Sequence, residues 1–309
     1  MLTSDSPTGP FVDPLGEALI SRNTPNCSDV IWLLDPAVLV DDDGSSYLYF
    51  GGGVPQGREE NPGTGRVVKL GEDMISLEGE PVALDIPYLF EDSEINKIGD
   101  TYYYSYCTNW NVSSEKSKEL GIDNADIAYM IGKEPLGPFT FQKSIFKNPG
   151  IFFSQWGNNH HCIFEFKGRM YIAYHTQMLE KRLGITGGYR STNIDYVVVN
   201  EDGIIEDIQA SEFGVGQVES LNPYERVEAE TIGAMAGIST AVIEEAKSGG
   251  TGNMAVTEIQ TGDWIAVYGV DFGENGAKSF TACIKPPADG LAAIQIRLDK
   301  PTGEAIGYL

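Results

Sequence analysis

The sequence predicts an all-β protein, with a β-propeller in residues 1–220 and a β-sandwich in residues 221–309. Three observations support this prediction. A strand-turn-strand pattern occurs three times in the first part, and the pattern changes after about residue 220. The 309 residues also include 36 Gly, 16 Pro, 15 Tyr and 13 Phe, a composition typical of turn-rich β proteins.

Each repeat begins with a polar residue, continues as an apolar strand, turns at a glycine and ends as an aromatic-rich strand. The repeats occupy residues 35–50, 91–106 and 160–174, and in each an aromatic residue follows the glycine by three positions. One such unit cannot bury its apolar faces alone. We therefore expect the units to stack around a common axis, as propeller blades do.

The polar residues that open the three repeats are Asp35, Glu91 and His160. Stacking around one axis directs them toward each other. Two carboxylates and a histidine can perform acid/base chemistry on a sugar. Alternatively, Asp35 and Glu91 only cap the turns before their strands. Their recurrence at equivalent positions favours the functional interpretation.

The formal charge of -24 at pH 7 argues against nucleic acid or an anionic membrane surface as a partner, because both would repel the protein. A neutral polysaccharide carries no such penalty. Residues 1–20 lack the basic and apolar segments of a signal peptide. The sequence also contains no run of about 18 apolar residues that could span a bilayer.

The four cysteines show no C-x-x-C spacing, so we expect no disulfide framework. Cys107 and Cys162 lie in strand-like segments, and we interpret both as small buried residues.

A separate motif at residues 4–11 occurs again at residues 135–141, after the strand-like segment 127–131. By analogy, the first copy is also expected to follow a strand, which predicts that the chain begins inside a repeat unit.

Three ordered sets of motifs accompany the repeats: Leu34-Asp35-Pro36 with Asp41-Asp-Asp-Gly44, Phe90-Glu91-Asp92-Ser93 with Tyr102-Tyr-Tyr-Ser-Tyr106, and Gly157-Asn-Asn-His-His161 with Tyr171-Ile-Ala-Tyr-His175. Together they resemble glycoside hydrolase family 43, and within it the arabinoxylan arabinofuranohydrolases. The resemblance extends over roughly residues 1–220. It implies a five-bladed β-propeller and hydrolysis with inversion, using an aspartate base, an aspartate that tunes and orients the acid, and a glutamate acid.

By this resemblance Asp35 corresponds to the pKa-modulating aspartate and Glu91 to the general acid. A general acid must hold its proton at neutral pH, and a neighbouring carboxylate with partial burial favours the protonated form. His160 corresponds to the histidine of the central channel, which in relatives often contacts a metal ion or its waters. From the sequence alone, a hydrogen-bonded structural role is favoured for His161, and a metal role for His160 stays open.

The resemblance also suggests residues that contact the substrate. Arg190 resembles a basic residue near the substrate in the last blade, with a solvated arginine as the alternative. Phe90 and Trp156, together with Trp110, could stack on sugar rings, although a propeller core also consumes many aromatic residues. His160 completes this predicted substrate-binding set.

One departure from the family pattern concerns the catalytic base, which relatives carry on the first blade. Residues 1–34 contain no segment that matches its motif. Asp5, Asp13 and Asp29 are the candidates there, and none has the expected context. The sequence therefore predicts an incomplete propeller that lacks most of its first blade and its base, with weak or absent activity. The chemistry itself requires no cofactor.

Residues 221–309 resemble a family 6 carbohydrate-binding module, a β-sandwich of jelly-roll type. The resemblance implies calcium binding by Glu228 and Glu230, and carboxylate oxygens suit that ion. The alternative is two solvent-facing carboxylates, since residues i and i+2 share one face of a strand. We expect this module to lack its C-terminal strands.

Two functions follow. The first is a glycosidase that acts on arabinoxylan or xylan side chains, of α-L-arabinofuranosidase or β-xylosidase type, extracellular by family and directed at the plant cell wall. The second is a non-catalytic carbohydrate-binding fragment, which follows if the base is missing.

Overall fold

The computed structural model describes residues 1–6, 9–243, 253–285 and 292–309. The chain divides into two compact units, Met1–Val215 and Gly216–Leu309. Most of the glycine-rich run at residues 248–253 lies outside the described residues.

The first unit contains three antiparallel sheets whose strands follow one another in sequence. The first sheet consists of β1 (Ala37–Val40), β2 (Ser46–Gly51), β3 (Gly65–Leu70) and β4 (Leu77–Leu84). The second consists of β5 (Leu89–Ile98), β6 (Thr101–Thr108), β7 (Ile127–Gly132) and β8 (Phe139–Phe146). The third consists of β9 (His161–Phe166), β10 (Arg169–Thr176) and β11 (Ser191–Val197). Successive sheets of this kind are the blades of a propeller, so the all-β prediction is confirmed, whereas the count of five blades stays a prediction.

Each sequence repeat forms the first hairpin of its sheet. The hairpins β1–β2, β5–β6 and β9–β10 are antiparallel, and each turns at a glycine with positive φ: Gly44 (83°), Gly99 (58°) and Gly168 (74°). A residue with a Cβ atom rarely adopts this backbone conformation. The tyrosine three positions after each glycine is at most 9% exposed, which explains why the repeats keep an aromatic residue there.

Aromatic residues fill the space between neighbouring sheets. The rings of Tyr49 and Tyr104 lie 5.9 Å apart between the first and second sheets. Those of Phe146 and Tyr174 lie 4.7 Å apart between the second and third sheets. Such pairs contribute about 0.5–1.5 kcal/mol each beyond the area they bury. The repeats therefore contribute Tyr49, Tyr104 and Tyr174 to the contacts between neighbouring sheets.

The prediction that Cys107 and Cys162 are both buried is half right. Cys107 is fully buried, whereas Cys162 is exposed. The side chains of β9 alternate between two faces, and His161 and Ile163 occupy the buried one. Cys162 therefore falls on the other face, as the two-residue period of a strand requires. All four cysteines are free thiols.

Three short helices lie between the strands: α1 (Ser114–Leu120), α2 (Pro149–Phe153) and α3 (Met178–Leu183). Side chains cap the first two at their N-termini, since Ser113 accepts from the backbone N–H of Lys116 and Asn148 from that of Gly150. Within the described residues, no helix has the length and apolar character needed to cross a membrane.

The described residues of the second unit form three antiparallel strand pairs. They are β12 (Ala234–Ala236) with β15 (Trp264–Ala266), β13 (Ser239–Val242) with β14 (Met254–Thr257), and β16 (Gln295–Arg297) with β17 (Ala305–Tyr308). The segments 262–267 and 294–299, whose polar and apolar residues are typical of short strands, contain β15 and β16. The segment 270–273 forms only an isolated parallel bridge between Val270 and Leu221.

Candidate functional site

The structure brings together the three residues that open the repeats. Asp35, Glu91 and His160 each contribute one nitrogen or oxygen atom that could bind a metal ion, and these three atoms lie within 4.8 Å of one another. Nε2 of His160 is 3.4 Å from Oδ2 of Asp35 and 3.3 Å from Oε1 of Glu91. Each residue comes from the start of a different sheet, so the stacking of the sheets creates the site.

A β-bulge at the start of β5 gives this site its shape. The pairing of β5 with β6 shifts register on either side of Glu91, and Asp92 has a φ of 69°. In a regular strand successive side chains point to opposite faces, but Glu91, Asp92 and Ser93 are all at most 8% exposed. The bulge therefore buries consecutive polar side chains, as bulges beside functional sites commonly do.

His160 is surrounded by carboxylates. Its Nδ1 lies 3.2 Å from Oδ1 of Asp92, in addition to the contacts of Nε2 with Asp35 and Glu91. Burial alone lowers the pKa of His160, but the hydrogen bonds with Asp92 and Glu91 and the charge of Asp35 outweigh it and raise the pKa to about 10. His160 therefore carries a positive charge at neutral pH.

The two carboxylates at the front of the site have different partners. Burial raises the pKa of Asp35, while the backbone N–H of Asp92 and the charge of His160 act in the opposite direction. Oε1 of Glu91 accepts a hydrogen bond of 3.0 Å from Nδ2 of Asn158. Asn158 lies in the motif Gly157-Asn-Asn-His-His161. Its contact with Glu91 could not be predicted from that motif, because an asparagine side chain does not titrate and has no distinctive pattern in the sequence.

Behind these groups lies a second buried pair, Asp92 and His161. Oδ2 of Asp92 accepts from the backbone N–H of His161 at 3.0 Å and from its Nδ1 at 2.6 Å. Nε2 of His161 lies 2.7 Å from Oγ of Ser105. Burial by itself raises the pKa of Asp92, but the two histidines lower it by a larger amount, so that the resulting pKa is about 2. His161 is thus hydrogen-bonded within the structure, in agreement with the interpretation favoured from the sequence.

His175 and Arg190 lie on the third side. The ring of His175 is 6.4 Å from that of His160, and its Nε2 is buried with no hydrogen-bond partner among the described residues. Burial and the positive charge of Arg190 lower the pKa of His175 to about 4, so this ring is neutral. Arg190 itself is exposed. A neutral imidazole with an open nitrogen is able to accept a hydrogen bond from a hydroxyl group, and His175 was not among the residues selected from the sequence.

The predicted aromatic residues differ in exposure. Phe90 is half-buried and packs edge to face against Trp32, with ring centroids 5.2 Å apart. Trp156 is 58% exposed and Trp110 is 38% exposed. The sequence analysis did not select Trp32, although it stands three residues before Asp35 and could have been found by that spacing.

The three base candidates of residues 1–34 are placed elsewhere. Asp29 pairs with Arg66 at 2.7 Å. Oδ1 of Asp13 accepts from the backbone N–H groups of Leu15 and Gly16, and Asp5 is exposed. None of these aspartates belongs to the described group of residues that converge with Glu91.

Comparisons with known proteins agree with this geometry. The model of the glycosyl hydrolases family 43 matches residues 1–205, more than half of the chain. The chain belongs to glycosyl hydrolase family 43. Residues 228–309 match the family 6 carbohydrate-binding module.

Two relatives of this family 43 chain are arabinoxylan arabinofuranohydrolases, from Paenibacillus polymyxa (46% identical) and Bacillus subtilis strain 168 (47% identical), and both matches cover 100% of the chain. The chain spans 48% and 60% of their respective lengths. A β-xylosidase from Xylanibacter ruminicola is 30% identical over 56% of this chain and 54% of its own length.

Solved structures also match this chain. A family 43 arabinoxylan arabinofuranohydrolase from Bacillus subtilis, in complex with cellotetraose, matches with a TM-score of 0.88 and 45% identity, over 100% of this chain and 63% of that one. An α-L-arabinofuranosidase from Clostridium thermocellum matches with a TM-score of 0.56 and 36% identity, over 70% and 66% of the two chains.

The residues predicted to bind cations can be tested against the structure. The carboxylates of Asp35 and Glu91 suit a divalent ion, but the imidazole of His160 can be a ligand only after it loses the proton that its raised pKa retains. In the second unit, Oε2 of Glu230 is buried without a hydrogen-bond partner among the described residues, which fits a calcium ligand. Both carboxylate oxygens of Glu228 contact Arg226, at 2.7 and 3.0 Å, so Glu228 must release Arg226 before it can bind an ion.

Proposed function

We propose that this family 43 chain is a glycoside hydrolase that removes arabinofuranosyl groups from arabinoxylan with inversion; a β-xylosidase activity on xylan side chains is the related alternative. The observation that carries the proposal is the placement of Glu91. It is 8% exposed and lies beside Asp35, His160 and Asn158 at the point where three sheets meet. The arabinoxylan arabinofuranohydrolases among its relatives support this substrate class.

Glu91 acts as the general acid in this proposal. As the bond between the anomeric carbon and the glycosidic oxygen breaks, Glu91 gives its proton to that oxygen, and the leaving chain departs as an alcohol. A water molecule attacks the anomeric carbon from the opposite face and gives up its proton to a base. Proton transfer by a positioned acid contributes about 10²- to 10⁴-fold in rate.

Asp35 serves as the modulator and not as the base. Its carboxylate lies within 4.8 Å of that of Glu91, and Nε2 of His160 lies close to both. An inverting base must stand roughly 6.5–9.5 Å from the acid, so that a water molecule fits between them. Asp35 is too near for that task, but its distance suits a carboxylate that acts on the general acid and not on the water molecule.

The base has no counterpart among the described residues of 1–34. The ion pair of Asp29 with Arg66 and the turn contacts of Asp13 hold these carboxylates in other roles. This placement favours the second candidate function, which is sugar binding without turnover by the same pocket. His160, Phe90, Trp156 and Arg190 are the proposed substrate contacts in either case.

The remaining features of the proposal follow from the family. For the first unit we propose the five-bladed propeller, to which the three described sheets contribute, and for residues 221–309 a jelly-roll carbohydrate-binding module. A plant cell-wall polysaccharide as substrate requires an extracellular protein. Calcium held by Glu230 and Glu228 would supply structural stability to the module. His160 would hold a cation only in its neutral form, and that ion would supply positive charge beside Asp35 and Glu91. Glu91 can act as the acid only while its own oxygens hold a proton.

The test is the release of arabinose and xylose from arabinoxylan by the wild-type chain and by Glu91→Gln. Glu94→Gln provides the matched control, since Glu94 is another glutamate on β5. The proposal predicts release by the wild type and by Glu94→Gln, and a loss of at least about 10²-fold in Glu91→Gln.

Each outcome has a distinct meaning. Equal release by wild type and Glu91→Gln rules out Glu91 as the acid. No release by folded wild-type protein, together with retained binding of arabinoxylan, supports the binding function instead. Arabinose without xylose identifies the arabinofuranosidase specificity, and the reverse result identifies the xylosidase.

A further inference from the structure

Asp92 contacts several of the residues that form the site. Its backbone N–H donates to Oδ2 of Asp35 at 2.9 Å. Its Oδ1 lies 3.2 Å from Nδ1 of His160, and its Oδ2 accepts two hydrogen bonds from His161. One residue thus touches groups from all three sheets.

We propose that Asp92 is a positioning residue, which holds the carboxylate of Asp35 and the ring of His160 in the arrangement that Glu91 requires. This inference rests on the proposed function of the site. Asp92 is 4% exposed and lies behind Asp35 and His160, so it does not reach the substrate. Its effect on the reaction passes through its neighbours.

The backbone of Asp92 is as important as its carboxylate. With a φ of 69°, Asp92 turns its N–H toward Asp35, while the bulge keeps Glu91 and Asp92 buried together. Asn and Asp tolerate this left-handed conformation better than other residues that carry a Cβ atom. The N–H contact links the first sheet to the second.

The carboxylate of Asp92 also determines the orientation of both histidines. Because an ionised carboxylate only accepts hydrogen bonds, Nδ1 of each ring must be the donor toward Asp92. In His161 the other ring nitrogen, Nε2, lies 2.7 Å from the hydroxyl oxygen of Ser105. In His160 the contact directs Nε2 toward Asp35 and Glu91. Hydrogen-bond partners of this kind fix the ring orientation of the histidines they contact.

The test replaces Asp92 with Asn, which keeps the shape and tolerates the positive φ. An amide has one acceptor oxygen and one donor nitrogen, so it cannot accept from both histidines, and its NH₂ faces one of the two ring donors. The matched control is Asp195→Asn. Asp195 is 6% exposed and accepts three hydrogen bonds, from Tyr174 and Ser211, but it does not contact the site residues.

The kinetic measurement is kcat and KM for arabinose release. Loss of a group that orients site residues from behind typically lowers activity on the order of 10- to 100-fold. We expect a decrease of this size in kcat for Asp92→Asn, with a smaller change in KM, and near-wild-type values for Asp195→Asn. Unchanged kcat in Asp92→Asn, or equal losses in both variants, overturns the proposal.

A second measurement does not depend on turnover. The chain contains only three histidines, so the imidazole N–H signals in the proton NMR spectrum can be assigned by single substitutions. The proposal predicts a low-field Nδ1–H signal of His161 in wild type and Asp195→Asn, and its loss or large shift in Asp92→Asn, together with a shift of the His160 signals. Unshifted signals in Asp92→Asn overturn the proposal, whether or not the wild-type protein is active. An inactive wild-type protein would refute only the proposed hydrolysis.

If Asp92→Asn does not fold, Ser105→Ala tests the same series of hydrogen bonds, from Asp92 through His161 to Ser105. Ser105 is 2% exposed and contacts Nε2 of His161. Its loss should shift the His161 signals and lower kcat, but by less than Asp92→Asn. A folded Ser105→Ala protein with wild-type signals and kcat contradicts the proposal.

Discussion

The backbone N–H of Asp92 donates a hydrogen bond of 2.9 Å to Oδ2 of Asp35, across a sequence separation of 57 residues. Both residues have positive φ, 69° and 51°, so each contributes an unusual local conformation to this contact. The bond joins the segment before β1 to the bulge of β5. The site is therefore a product of the interface between two sheets, and changes at that interface are expected to alter its chemistry.

Replacement of Asp35 by Asn is expected to lower kcat on the order of 10²-fold. The amide keeps the shape of the side chain but removes the negative charge that lies beside Glu91 and His160. The measurement is arabinose release by the wild-type chain and by the variant. Asp43→Asn, in the exposed turn between β1 and β2, is the control. An unchanged kcat argues against the modulating role.

Replacement of Glu94 by Gln is expected to stabilise the protein at high pH. Burial raises the pKa of Glu94 from 4.5 to about 7, and the charge of Asp92 adds to this effect. The folded protein therefore binds this proton more tightly than the unfolded chain. The stabilising contribution is fully present below pH 4.5 and is lost as the pH rises through 7.

The expected gain for Glu94→Gln at pH 8 is on the order of 1–3 kcal/mol in the free energy of unfolding, with little difference at pH 4. Urea denaturation at both pH values measures it. Glu165→Gln, at an exposed position of β9, should change neither value. A variant that is no more stable than wild type at pH 8 shows that Glu94 is not buried as the structure places it.

Replacement of Gly52 by Ala is expected to disturb both stability and the site. A Cβ atom at Gly52 would lie 2.5 Å from the carbonyl oxygen of Phe90 and 3.3 Å from Cα of Glu91. Backbone atoms cannot move aside cheaply, and overpacking of this kind costs typically about 1–3 kcal/mol. The shift would also displace Glu91. Thermal unfolding and arabinose release measure the two effects.

Gly157→Ala is the matched control for Gly52→Ala. Gly157 also lies close to the site in sequence, but a Cβ atom there meets nothing within 4 Å. We expect near-wild-type stability and activity. Equal effects of the two substitutions would mean that the close approach of the first sheet to β5 does not position Glu91.

Calcium is expected to raise the melting temperature of the wild-type chain, and EDTA to reverse the increase. Oε2 of Glu230 is buried without a hydrogen-bond partner among the described residues, and it becomes a ligand of the ion when calcium binds. An ion that binds only the folded state stabilises that state. Glu230→Gln should remove the response. Glu228→Gln should weaken it less, since Arg226 already neutralises Glu228. A calcium response that survives Glu230→Gln shows that the ion binds elsewhere.

Much of the fold could be predicted from local patterns. The glycines at 44, 99 and 168 and the tyrosines that follow them specify hairpins, because positive φ and burial on one strand face are local requirements. The same periodicity correctly placed Asp35, Glu91 and His160 at equivalent positions. It failed for Cys162, where an apolar-looking segment conceals a strict alternation between two faces.

The residues around the three predicted positions could not be found in this way. Asp92, Asn158 and His175 stand next to or within the quoted motifs, but their roles arise from contacts between sheets. A register shift of one residue decides whether Asp92 points inward or outward, and nothing in the local pattern marks the bulge that makes it point inward.

The sequence by itself determined the hairpins, their order and the equivalent positions of Asp35, Glu91 and His160 within them, because these depend on interactions between residues close in the chain. Only the tertiary structure decided how those groups meet. The contacts of His160 with Asp35 and Glu91, and of Asp92 with Asp35, depend on the stacking of separate sheets. Their distances set the charge of His160 and the protonation of its neighbours, because electrostatic interactions change steeply with separation and burial.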